Sequence, residues 1–445
     1  MKKNMLICGP LTSRSGYGDH ARDLFHSFYD LNQFEIKVLD VNWGQCPRNA
    51  LNPKDSKDKL IWDRILVEPK VDQQPDVYID IRIPNEFETF GKFNIGITAG
   101  IETDIISTDW IEGCNKMDLL IVPSNHSKKG LVDTIYDKIN TQPDGSQQKI
   151  GALQITKPVE VLFEGLDEVF KNKSIEEIEH HQIFKDIQNN IKEEFAFLTV
   201  GLWGNGDYGE DRKDIARTIK VFCEAFANKK KKPALILKTN GAGFSILDKQ
   251  SMHERINKIK DLFPNNFELP NIYLLHGDLT KEEMNGLYNH PKVKCLVSFS
   301  HGEGFGRPLL EASATGLPIM ASGWSGQLDF LDPNTTLLLK GELKQVPKSQ
   351  VWDKIIVPES KWFNVNEDKA YDAFISIVDD YYTAKRKARS QADKNVDKFS
   401  LNKMTQELKV ILDKYVPKTQ YTQLKLPKLK KTKQTGIKLP KLKKV

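Results

Sequence analysis

Short apolar runs alternate along this chain with stretches whose apolar residues fall at three and four spacing. Residues 4–8 (NMLIC) form such a run, followed by the loop GPLTSRSGYGDH and the helical pattern HARDLFHSFYDL. The runs FEIKVLDV, DVYIDIRI, FNIGITAG, MDLLIVPS and PVEVLFEG continue the series to residue 165. Strands this apolar, separated by helical or irregular connections, predict a parallel sheet covered on both faces. A polar, hairpin-like stretch, TQPDGSQQKIGALQIT, interrupts the series, and residues 167–194 are acidic and lack strand character. The pattern then restarts with FAFLTVGLW, and the strands PALILKT, NIYLLHG and KVKCLVSF alternate with the helices IARTIKVFCEAFAN, MHERINKIKDLF and KEEMNGLYNH. Residues 367–415 read as one long, briefly interrupted helical stretch.

The fold class expected is therefore α/β, with two Rossmann-like, doubly wound parallel-sheet domains and a cleft between them. We place the first domain at 1–190 and the second at 191–385. A C-terminal helix at 386–416 is expected to pack back on the first domain, and a Lys-rich, disordered tail occupies 417–445. A chain of 445 residues suits two such cores better than one.

Composition narrows the classes. With 39% hydrophobic and 28% charged residues the chain reads as a soluble globular protein, and no apolar run approaches membrane-spanning length. Its five cysteines are scattered without CxxC spacing, which fits core thiols and a cytoplasmic location. The net charge of +5 is unevenly held: the tail carries ten lysines and no acid, leaving 55 basic against 60 acidic residues in the body. The heptamer KLPKLKK occurs twice in that tail, at 425–431 and 438–444. Such a tail is a solvated extension, a ligand for nucleic acid or another polyanion, or a docking segment for a membrane surface or a protein. Its prolines argue against a membrane-inserting helix.

Ligands in open parallel sheets sit at the carboxyl ends of strands, where helix amino termini favour anions. Two segments fit. In SRSGYGDHAR, Gly16, Tyr17 and Gly18 open a helix after the first strand, and the glycines allow close backbone approach to a diphosphate. A glycine turn of this kind also serves simply to make a tight corner. The second segment is SHGEGFG after KVKCLVSF, with a helix starting at Pro308 and ending at Gly316. Glu303 lies on this loop and Glu311 near the first turn of the helix, eight positions apart, so both carboxylates face one cleft. Carboxylates accept paired hydroxyl hydrogen bonds, which suits a ribose on one side and a sugar ring on the other, with Gly304 and Gly306 leaving room. Phe305 lies between those glycines.

The segment EGFGRPLLE followed by ATGLPIMAS resembles the E-x7-E signature of the retaining family 4 (group 1) glycosyltransferases, which have the GT-B fold. IETD with Trp110, CNKMDLLIVPSNHSKKGL and VLFEGLDEVF are similar to family segments in the same order, so that the resemblance covers about 400 residues. It implies that Glu311 binds the ribose hydroxyls of a nucleotide-sugar donor and that Glu303 contacts the transferred sugar. It also implies a cation pair on the donor diphosphate, which GDYGEDRKDIAR offers as Arg212 and Lys213, and backbone contacts to the base near Leu279 and Thr280. Retention of anomeric configuration follows from the resemblance alone.

Two departures accompany it. Many members have an arginine directly after the first strand of the second domain, where this chain has Leu202 and Trp203; Lys238, ending PALILKT, is the candidate replacement. Some relatives place a histidine at the end of the fourth strand, where this chain reads GITAGIETD, so Thr98, Gly100 and Glu102 occupy the acceptor side, and His126 reads as a helix-start residue. No DxD pair or His/Cys/Asp cluster has metal-ligand spacing, so transfer without a metal or other cofactor is expected. The acceptor stays open among glycan, lipid, protein and modified DNA, the last because similar sequences are common in phages. A non-catalytic nucleotide- or glycan-binding protein and a sugar-nucleotide epimerase are the rival readings.

Overall fold

The structure, a computed structural model, describes residues 2–142, 146–241 and 243–418. The Lys-rich tail lies outside the described residues from 419 onward.

The first lobe begins with β1 (Lys3–Gly9), α1 (Gly16–Asp30), β2 (Phe34–Asp40), α2 (Ser56–Trp62), β3 (Val77–Ile81) and β4 (Phe93–Ile97). It continues through α3 (Thr108–Lys116), β5 (Leu119–Val122), α4 (Asn125–Asp133), the hairpin β6 (Tyr136–Thr141) and β7 (Gln147–Leu153), and β8 (Val159–Val161). Six of these strands form one parallel sheet in the order β2-β1-β3-β4-β5-β8. Position in the sheet explains the sequence pattern. Every residue of the interior strand β3 is buried, whereas β2, at the edge, alternates buried and exposed along FEIKV.

The second lobe comprises α5 (Ile175–Ile178), α6 (Gln182–Asn190), β9 (Ala196–Val200), α7 (Ile215–Phe226), β10 (Ala234–Lys238), α8 (Ile246–Lys260) and β11 (Ile272–Leu275). After these come α9 (Lys281–Asn289), β12 (Val293–Ser298), α10 (Arg307–Ala314), β13 (Ile319–Ser322) and β14 (Leu337–Leu339). Its parallel sheet runs β11-β10-β9-β12-β13-β14, so the strand order reverses between β9 and β12. At such a reversal the loops leaving two adjacent strands diverge and open a crevice. Ahead of residue 190, Leu166, Phe170, Ile183 and Ile187 already pack into the core of this lobe.

The region before the long helical stretch forms a separate antiparallel pair, β15 (Gly341–Gln345) with β16 (Lys361–Val365), to which the sequence pattern assigned nothing. The stretch itself is three helices, α11 (Glu367–Asp379), α12 (Tyr381–Lys398) and α13 (Leu401–Tyr415). Asp380 breaks it first, and its carboxylate caps α12 by accepting from the Thr383 amide at 3.1 Å. Ser400 makes the second break and caps α13. Through Met404, Leu408, Ile411 and Leu412, α13 packs into the core of the first lobe beside Phe25 and Phe28. The chain thus passes between lobes twice, and the two passages run side by side: the Leu166 amide donates to Phe399 O (2.7 Å) and the Leu401 amide to Leu166 O (3.1 Å).

Candidate functional site

The crevice at the reversal of the second sheet gathers four of the residues singled out in the sequence. Arg212 and Lys213 end the loop after β9, and Glu303 sits on the loop after β12. Lys213 Nζ donates to Glu303 Oε1 at 2.5 Å, and Arg212 Nη1 lies 3.3 Å from Oε2. Arg212 Nε is 3.4 Å from Glu102 Oε1 in the first lobe, so one network of ion pairs joins all four across the cleft. Burial pushes the Glu303 carboxyl up, but Lys213 and Arg212 together outweigh it and hold the group down at about 2. Burial likewise pushes Lys213 below its ordinary value, opposed by Glu303. Behind the pair, the stem of Lys213 packs over Gly201, within 3.3 Å of where a Cβ would stand.

The Glu303 loop is held rigid by a residue the sequence reading passed over. His301 is fully buried and stacks on Trp362 with ring centroids 4.1 Å apart. Its Nδ1 lies 2.6 Å from Phe363 O and its Nε2 3.0 Å from Gly209 O, which ties the loop to β16 and to the loop after β9. The Glu303 amide donates to Ser325 Oγ at 2.9 Å.

The glycines of this loop touch the other lobe. A Cβ on Gly302 would stand 2.1 Å from Glu102 O, and one on Gly304 1.8 Å from Ala99 O. Ser124, which caps α4, and Ser127 within it both donate to Gly304 O, at 2.5 and 3.3 Å. The sequence reading gave the space beside Gly304 to a ligand; here the backbone of the first lobe fills it. Gly306 has φ +100 and caps α10, whose first residue, Arg307, is one residue earlier than the start expected at Pro308. Phe305 points into the core against Phe330 (5.0 Å), so only its main chain can meet a ligand.

In the first lobe, Tyr17 lies under the same seam. Its hydroxyl is 2.9 Å from Thr98 Oγ1 and accepts from the Ala99 amide at 3.1 Å, while its ring stacks on Trp43 at 4.0 Å. Gly18 is tightly packed, with a Cβ position 2.3 Å from Ser13 O, whereas nothing lies within 4 Å of a Cβ on Gly16. Gly100 has φ +83 and abuts Ser127. His126 is the second residue of α4; its Nε2 is 3.2 Å from Ile101 O, and its ring meets Trp324 of the second lobe edge-on at 4.6 Å.

Lys238, Leu279 and Thr280 form another flank. Lys238 Nζ donates to Gly277 O at 2.7 Å, and burial depresses its pKa. Leu279 packs on the core of the second lobe, and the Thr280 hydroxyl accepts from the Glu283 amide to cap α9. Arg14 of the Gly16 loop pairs with Asp278 of this turn, closing that end of the cleft. At the expected arginine position, Trp203 is 3% exposed and Leu202 52% exposed. Arg255 of α8 donates to Trp203 O and Gly204 O, bringing a cation there that no motif order indicates.

Glu311 also faces the seam but has its own cation. Arg307, four residues earlier on α10, places Nε 3.2 Å from Glu311 Oε1 and Nη1 2.7 Å from Asp23 Oδ2 on α1. Burial pushes Glu311 up to about 7 against the pull of Arg307. Glu164, at the passage between lobes, is pushed up to about 7 by burial as well and has no hydrogen-bonding partner among the described residues. The i,i+4 spacing of Arg307 and Glu311 was a readable signal; Asp23 and Glu164 reach the cluster only through the tertiary fold.

Among the described residues no group of three His, Cys, Asp or Glu side chains is placed to hold a metal ion, and no helix is long and apolar enough to cross a membrane. All five cysteines are free, and all but Cys46 are buried.

No family profile and no curated protein matches the sequence. Solved structures do match. HepE from Anabaena, in complex with UDP-glucose, is 13% identical with a TM-score of 0.56, over 93% of this chain and 100% of its own. Sucrose-phosphate synthase from Thermosynechococcus elongatus is 11% identical with a TM-score of 0.60, over 93% and 99%. A glycosyltransferase from Rickettsia africae is 13% identical with a TM-score of 0.58, over 94% and 100%. Taken with the two parallel six-stranded sheets and the helices that cover them, these likenesses establish that the chain has the two-domain GT-B fold.

Proposed function

We propose that the chain transfers a sugar, in the first instance a hexose, from a nucleoside diphosphate sugar to an acceptor hydroxyl, with retention of configuration and without a metal ion. The observation that carries this reading is Glu303, ionised between Lys213 and Arg212 at the strand reversal of the second sheet. As the sugar–phosphate bond breaks, the sugar gains oxocarbenium character and the leaving diphosphate gains negative charge. Lys213 and Arg212 stabilise the latter, and being fixed in place they need no reorganisation at that moment. Glu303 accepts hydroxyls of the transferred sugar, Glu311 those of the ribose, and Glu102 orients the acceptor. Retention rests on the motif resemblance, in which the acceptor attacks from the face that the phosphate leaves. The UDP-glucose complex of HepE makes UDP-glucose the first donor to test. The free, mostly buried cysteines fit a reducing, cytoplasmic setting.

The test is product analysis with a panel of nucleotide sugars, run with and without EDTA. Transfer is expected to persist in EDTA. Glu303→Gln should abolish it while sparing nucleotide binding, and Glu311→Ala should weaken donor binding about tenfold or more. Full activity in both variants overturns the site; epimerised donor in place of a transfer product overturns the reaction.

A further inference from the structure

Arg307 is the first residue of α10 and makes two ion pairs, one to each lobe. Within its own helix it meets Glu311 Oε1, and across the seam it meets Asp23 of α1. All three side chains are largely shielded from water. Two charged partners hold the guanidinium from opposite sides, Glu311 through a hydrogen bond and Asp23 through the attraction of a close, shielded ion pair.

We propose that Arg307, anchored by Asp23 of the first lobe, is the positioning residue for Glu311, so that capture of the donor ribose is complete only when the lobes are closed. This inference rests on the reading of Glu311 as the ribose-binding carboxylate. Arg307 occupies Oε1 of Glu311, and Oε2 makes no hydrogen bond among the described residues, leaving it to accept from a ligand hydroxyl. Arg307 also pulls Glu311 toward the form that accepts, against burial and the nearby Asp19. Asp19, Asp23 and Glu164 crowd the same region, and like charges together with burial favour a protonated carboxyl. A protonated carboxyl turns one of its two oxygens from acceptor into donor and so loses the paired reading of a vicinal diol. Asp23 touches no ligand in this arrangement; it acts through Arg307. Opening the cleft would take Asp23 away with the first lobe and leave Arg307 held from one side.

The experiment compares a ribonucleoside diphosphate with its 2′,3′-dideoxy analogue by calorimetry, using whichever of UDP, GDP, ADP and CDP raises the melting temperature of the full chain most. The wild type is expected to prefer the ribonucleotide by about tenfold or more, and Glu311→Ala to abolish the preference. Arg307→Gln and Asp23→Asn should each reduce that preference severalfold, and the double variant should be no worse than Arg307→Gln alone, as for residues acting in series. A merely structural Asp23 would lower the melting temperature and leave the ratio unchanged. Preference retained in Asp23→Asn and Arg307→Gln, but lost in Glu311→Ala, overturns the inference and spares the donor-site reading. No preference in the wild type, or none lost in Glu311→Ala, overturns that reading itself.

Discussion

Glu303 and Glu164 are each 7% exposed, and their protons behave oppositely because their neighbours differ. Two cations face Glu303 and hold it ionised at about 2, whereas Glu164 meets Arg307 in the company of Asp19, Asp23 and Glu311 and rises to about 7. A carboxyl raised in this way binds its proton more tightly in the folded protein than in the unfolded chain. Its contribution to stability is therefore full below the unfolded value near 4.5 and is lost as pH rises through about 7. Glu303 has the reverse sign, and its contribution disappears only as pH falls through about 2, outside that window. Between pH 5 and 8 the wild type should lose up to about 3 kcal/mol through Glu164. Glu164→Gln, which carries no proton to lose, should make the decline in melting temperature over that range shallower, with Glu311 supplying what remains; parallel curves for the two proteins would show that Glu164 does not titrate there.

At the scale of elements, the Glu303 loop is shaped as much by the opposite lobe as by its own. Ala99 O stands where a Cβ of Gly304 would be, and Ser124 and Ser127 hold the Gly304 carbonyl. Gly304→Ala should keep the lobes from meeting without disturbing either core. Turnover is then expected to fall at least about tenfold, with a larger radius of gyration in solution scattering; wild-type turnover would mean that closure at this contact is dispensable. The sequence disclosed α10 to within one residue, because Pro308 and Gly316 are local signals that act whatever surrounds them. It did not disclose β15 and β16, since GELKQ is wholly exposed and the pair belongs to neither sheet. Nor did it disclose the use of Gly302 and Gly304, because a glycine that admits a ligand and one that admits another backbone look the same in sequence.

At the scale of the whole molecule, two lobes were legible because buried parallel strands leave near-continuous apolar runs and the series restarts after residue 195. The long-range anchor of Arg307 was not, since Asp23 lies 284 positions before Arg307 in the chain. The same distance effect governs stability. Leu408 of α13 is fully buried in the first-lobe core, although it is about 250 residues beyond the last strand of that lobe's sheet. Leu408→Ala should cost about 2–5 kcal/mol. Calorimetry should then resolve an early transition from the first lobe while the second melts as before; a single transition shifted as one would show that the lobes unfold together.

The paired passages at Leu166 and Ser400 give this architecture a mechanical character. Had the chain crossed at two distant points, the lobes could shear or slide by bending each connection separately. Here the crossings are stitched into a two-ply spine by reciprocal amide bonds, with Leu401 packed where a Cβ on Gly165 would stand. Sliding would tear the stitching, while swinging leaves it whole. The molecule is left with essentially one axis of rotation, like a book that opens along its binding, and that axis passes next to Glu164.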